Sequence, residues 1–221
     1  MKNVDPAMKT VERDIRGATA AHRLLFAAVA KLTDDDVRSA SLLPDWTVAH
    51  VIAHIARNAD SHVLMIEAAE RGEVGDQYPG GVDQRNADIA AGAQLSAAEL
   101  IDDVATAVDR LHAAWATTTA TGWAGTGRTV VGAVSMKLLP FRRWREAEIH
   151  HADLGLAYSW RDWSAEYVRL ELQQMTMLWA SRQPMGLTAL PDEAFGVDER
   201  HRLAWLVGRA TIEGLAPAGI Y

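Results

Sequence analysis

Apolar residues return every third or fourth position over four long stretches of this chain, the spacing of helices with one buried face. The first covers residues 8–32, where Val11, Ile15, Ala18, Ala21, Leu25 and Val29 share a side and Glu12, Arg13 and Arg16 take the other. Gly17 weakens that pattern. Asp34, Asp35 and Asp36 mark a turn and a possible short helix start. The second stretch covers residues 47–71, with Asp45 or Thr47 as N-cap. It ends in a breaker-rich loop, Gly72, Gly75, Pro79, Gly80 and Gly81, with Arg85 and Asn86 just beyond. The third opens on Ser96 and Glu99, the spacing of a capping box, and carries Leu100, Val104, Val108, Leu111 and Trp115 to about residue 118. His112 beside that stripe reads as a core or boundary histidine. Residues 119–129, rich in Thr and Gly, read as a loop, with a short extended piece over 129–131.

The fourth helix is expected from residue 134 or 138 to 154, its regular part beginning near Pro140 and stopping at Gly155. A fifth spans 165–180, a break follows over 183–186, residues 187–190 read as a short strand, and a last helix covers 199–210. The fold class is therefore mainly α: a four-helix bundle over residues 1–164, then a small C-terminal subdomain, α/β or helical, over 165–221.

Composition narrows the possible functions. Of 221 residues, 49% are hydrophobic and 23% charged, ordinary for a globular protein. A net charge of −7 argues against a nucleic-acid groove. Arg142, Arg143 and Arg145 read as a small anion site or as helix-surface charges. No cysteine is present, which removes disulfides, thiolate metal sites and a cysteine nucleophile together. No segment has the length of a membrane span or the form of a secretory leader, so a cytoplasmic protein without membrane contact is expected.

The chemistry concentrates on two helices. Glu146 and His150 are four residues apart, hence neighbours on one face, and offer a carboxylate and an imidazole to a borderline metal such as zinc. A third ligand has to come from another helix, and His50 and His54, also four apart, are available on the second. Each is equally readable as a hydrogen-bonded core histidine. Glu148 and His151 point to other faces, as supporting or surface groups. Asp153 is placed to hydrogen-bond the free ring nitrogen of His150, or to face solvent. Trp46, Trp144, Trp160 and Trp163 read as cleft walls or as plain packing.

Trp46, Thr47, His50 and His54, with Arg57 and Asn58 after them, resemble the second helix of the mycothiol-dependent maleylpyruvate isomerase family, within the DinB-like superfamily of metal-binding four-helix bundles. Arg145 to Gly155 resemble its fourth helix, and Gln84-Arg85-Asn86 and Gly208-Arg209 are weaker matches. The resemblance implies His54, Glu146 and His150 as metal ligands, zinc as the metal and mycothiol as the thiol cofactor. It implies a cis–trans isomerase that acts on maleylpyruvate or a similar cis-unsaturated keto-diacid. A thiolate adding across the double bond leaves a single bond, rotation follows, and elimination gives the trans product; a chain without cysteine must borrow that thiol. The anionic substrate calls for cationic clamps, and Arg85 and Arg209 are the candidates. Partners are thus a small anionic substrate and a low-molecular-weight thiol, with no nucleic acid and no stated oligomeric state. Two other readings stand beside this one: a mycothiol S-transferase acting on electrophiles, and a non-catalytic metal-binding bundle.

Overall fold

The computed structural model describes residues 5–184 and 189–220. Of the strand expected over 187–190, residues 187 and 188 lie outside that description, and residues 189 and 190 are not in a strand. Contacts divide the chain into two compact units, Met1–Ala157 and Tyr158–Tyr221.

The first unit runs α1 (Pro6–Val29), α2 (Asp34–Arg38), α3 (Val48–Glu70), β1 (Gly75–Asp76), α4 (Gly81–Gly92), α5 (Ala97–Thr117), α6 (Ala120–Ala124), β2 (Thr126–Thr129), β3 (Gly132–Ser135) and α7 (Leu139–Asp153). Helices α1, α3, α5 and α7 form the bundle: α3 packs on α5 and α7, and α1 packs on α7 and α5. Their apolar faces make the core, with Leu25, Ile52, Ile55, Met65, Leu100 and Leu111 all but sealed from solvent. The starts are local chemistry. Asp5 accepts from the Ala7 amide with Pro6 at the first position, Thr47 caps α3, and Ser96 and Glu99 close a capping box on α5. Pro140 sits in the first turn of α7, and Gly155, at φ 72°, follows its end.

Gly17 lies in the middle of α1 because Trp144 of α7 packs against it. A Cβ there would fall inside the van der Waals envelope of the indole ring. The glycine is a contact between two helices, and a larger residue would push them apart.

Two regions differ from the sequence reading. The breaker-rich stretch after α3 contains a 12-residue helix, α4, which carries Arg85. Only Ile89 of it is buried, so no apolar period announces it, and glycines stand at both ends. Residues 126–135, expected as loop to 129, an extended piece over 129–131 and, from 134, one of two starts for the fourth helix, form a hairpin, and that helix begins at Leu139. β2 pairs antiparallel with β3 and parallel with β1 in a three-stranded sheet ordered β1-β2-β3. Val130 and Val131 sit exposed at its turn, not in a strand. A short helix, α6, precedes it.

The second unit contains α8 (Ala165–Arg182) and α9 (Glu199–Leu206) around buried Trp163, Tyr167 and Trp205. It has no strand among the described residues, so of the two expected architectures it takes the helical one. Helix α9 stops at Leu206, short of residue 210, where Gly208 turns the backbone at φ 72°. Among the described residues, no helix is long and apolar enough to cross a membrane.

Candidate metal centre

Three side chains from two helices converge in the first unit. His54 projects from the second turn of α3, and Glu146 and His150 project from successive turns of α7. His54 Nε2 lies 3.0 Å from Glu146 Oε2 and 3.1 Å from His150 Nε2. The third edge, His150 Nε2 to Glu146 Oε2, is 3.4 Å. Among the described residues these three form a group able to hold a metal ion. Four ligands at zinc distances of about 2.0–2.1 Å stand about 3.3 Å apart at tetrahedral corners, so the three edges match the spacing a zinc ion asks of its ligands. The donor types, two neutral imidazoles and one carboxylate, match as well. The His54 side chain is 6% exposed and Glu146 26%, so the cluster is closed on the bundle side and open on the other.

Neighbouring groups orient each ligand. Asp153, itself buried, accepts from His150 Nδ1 at 2.9 Å, which turns Nε2 of that ring toward the cluster. Asp153 is held in turn by the bundle: its carbonyl accepts from the Leu42 amide at 2.9 Å. Arg85 Nη2 donates to His54 Nδ1 at 3.2 Å. A guanidinium can only donate, so the proton of the neutral His54 ring is on Nε2, facing Glu146. Trp46 packs edge-on against His54 with ring centroids 5.7 Å apart.

The charges sort themselves accordingly. Burial pushes the His54 imidazole down to about 4 against the pull of Glu146. Burial also works to lower His150, but the hydrogen bonds to Asp153 and Glu146 outweigh it and raise it to about 9. Burial works to raise Glu146, and the two histidines more than cancel it, holding the carboxyl well below its usual range. Without a cation the cluster is an imidazolium–carboxylate pair beside a neutral imidazole. A metal would displace the His150 proton.

The other sequence candidates divide. His50, one turn before His54, is not in the cluster: its Nδ1 lies 2.8 Å from Thr47 Oγ1 and it completes the capping box of α3. Glu148 and His151 are buried on other faces of α7, and Glu148 accepts from the Trp144 indole at 3.0 Å, so neither is a surface group. The arginine trio is not a row of surface charges, because Arg143 lies wholly inside the bundle while Arg142 and Arg145 are half-buried. Arg209 belongs to the second unit, where its guanidinium donates to the Val207 carbonyl at 2.8 Å. Tyr78 is half-buried, with the Arg85 guanidinium 5.9 Å from its ring centre, and carries no signal in the sequence. It sits alone in a breaker-rich segment, where no period marks a buried aromatic.

The sequence model of the mycothiol maleylpyruvate isomerase N-terminal domain matches residues 18–155. Two solved structures match the fold, a crystal structure of the mycothiol-dependent maleylpyruvate isomerase and one of a histidine-to-alanine mutant of it. Each has a TM-score of 0.81 and 25% identity, covering 90% of this chain and 90% of that one. No curated protein matches by sequence.

Proposed function

The chain belongs to the mycothiol maleylpyruvate isomerase family, and from that premise we propose that it is a metal-dependent, mycothiol-using cis–trans isomerase of maleylpyruvate or a similar cis-unsaturated keto-diacid. The observation that carries this reading is the meeting of His54 Nε2, Glu146 Oε2 and His150 Nε2, no two more than 3.4 Å apart, although His54 and Glu146 are 92 residues apart in sequence. Three protein ligands with one open side are the donor set of a catalytic zinc rather than a structural one. His54, Glu146 and His150 would hold a zinc ion, which would supply a Lewis acid able to lower the pKa of a bound thiol.

The chain's own residues do the rest. Asp153 fixes the His150 ring and keeps its Nε2 available. His54 can present a lone pair to a metal only if its proton moves to Nδ1, and Arg85 would then lose its acceptor. Its guanidinium, which also donates to Asn86 Oδ1 at 3.0 Å, would then be free of His54 and could take a substrate carboxylate by two hydrogen bonds. Arg209 is kept as the second clamp on the strength of the family resemblance. The bundle wall behind His54 excludes water on that side. We place the protein in the cytoplasm, where a small thiol is kept reduced.

The test is turnover of maleylpyruvate by zinc-loaded protein with and without mycothiol. Isomerisation that needs both zinc and thiol supports the reading. Metal uptake without isomerisation, but with conjugation of mycothiol to a generic electrophile, would make the protein an S-transferase. Failure to retain a divalent ion would leave a non-catalytic bundle.

A further inference from the structure

Arg143 is the least expected side chain in the bundle. It lies on α7 one turn before Glu146 and is 0% exposed. Its Nε donates to His22 Nε2 of α1 at 2.9 Å, and its Nη1 donates to the Ile55 carbonyl and to Asn58 Oδ1 of α3, each at 2.9 Å. His22 accepts on Nε2, so its Nδ1 carries the proton and donates to His112 Nε2 of α5 at 3.0 Å. One guanidinium thus joins α7 to α1 and α3 directly, and to α5 through a histidine. Arg143 makes no ion pair among the described residues, and its Nη2 has no partner.

A guanidinium buried without a bonded carboxylate is poor value for stability. Replacing a whole buried ionic group and its partners with apolar residues of similar size is often neutral or stabilising, so the charge by itself does not explain the residue. What the fork does, and an apolar residue cannot, is fix how far one helix has slid along the next. Asn58 is one turn after His54 on α3, and Arg143 is one turn before Glu146 on α7. The bond between them therefore clamps the two helices beside the two ligands they contribute. A slip of even one residue along a helix moves a ligand about 1.5 Å, enough to break a coordination bond whose tolerance is about 0.2 Å.

We infer that Arg143 is a positioning residue: its fork to Ile55 and Asn58 sets the α3–α7 register that brings His54 to Glu146 and His150. The inference rests on the metal-site reading above. Two variants test it with the charge left in place. Arg143→Lys keeps the cation, but one ammonium cannot span the Ile55 carbonyl, Asn58 and His22. Asn58→Leu removes one arm only and decides the matter if the lysine variant does not fold. Zinc affinity is measured by chelator competition, and coordination geometry by the visible spectrum of the cobalt-loaded protein. Both variants are expected to bind zinc about tenfold or more weakly, with an altered cobalt spectrum. Zinc affinity within twofold of wild type with an unchanged cobalt spectrum overturns the inference. Wild-type protein that takes up neither ion overturns the metal reading, and this inference with it. Wild-type protein that binds while the variants bind equally well overturns this inference alone.

Discussion

His50 and His54 carry the same side chain one turn apart on the same helix, yet their surroundings give them unlike tasks. His50 is at the third position of α3 and bonds back to Thr47. His54 is one turn deeper, where α7 is in reach. His50→Ala should lower stability by about 1 kcal/mol, the usual worth of a cap contact, and leave bound metal unchanged. His54→Ala should abolish metal retention while the helical circular-dichroism signal persists, because most apolar burial lies elsewhere. Metal analysis and a melting curve on each variant check the pair; metal lost from the His50 variant would contradict the assignment. Arg85 belongs at this scale too. Arg85→Ala should raise KM for the diacid several-fold with metal content unchanged, and an unchanged KM takes Arg85 out of the substrate site.

At the scale of elements, the close approach of α1 and α7 depends on a missing side chain. Gly17→Ala would gain about 1 kcal/mol from helix propensity. It would lose more, about 1–3 kcal/mol, by crowding Trp144 in a packed interior. A net loss of about 1 kcal/mol is expected in urea unfolding, and a more stable variant would mean that the indole can move aside. The same contact bears on the site, since Trp144 bonds Glu148 on the helix that carries Glu146 and His150. Elements without a packed face are where sequence reading failed. Helix α4 buries only Ile89, and the hairpin places two valines at its turn, the position where apolar residues are least expected.

At the scale of the whole molecule, several histidines are held neutral inside the first unit. Burial lowers His22 well below its ordinary value, His62 from 6.5 to about 3 and His54 to about 4. A histidine with a depressed folded pKa binds fewer protons folded than unfolded. Its penalty is therefore absent above about pH 6.5 and grows as pH falls toward the folded value. The metal-free protein should lose roughly 1.4 kcal/mol per pH unit below 6.5 for each such histidine. His62→Leu, outside the ligand set, should flatten that dependence between pH 6.5 and 5. Urea midpoints for both proteins at the two pH values provide the check, and parallel profiles would rule out His62 as a contributor.

Much of this molecule is legible without coordinates because the relevant physics is local. Caps at Thr47 and Ser96, Pro140 at a helix start and Gly155 after its end are short-range signals. The side-by-side placement of Glu146 and His150 follows from the pitch of one helix. By residue type and spacing alone, His50 and His54 stay equivalent; the family resemblance favours His54, and the α3–α7 packing seats it 3.0 Å from Glu146. Packing also took Arg143 inside the bundle and set Arg85 beside His54. The rotation and slide of one helix against another are settled by many contacts between residues far apart in the chain, and no stretch of sequence contains both sides of such a contact.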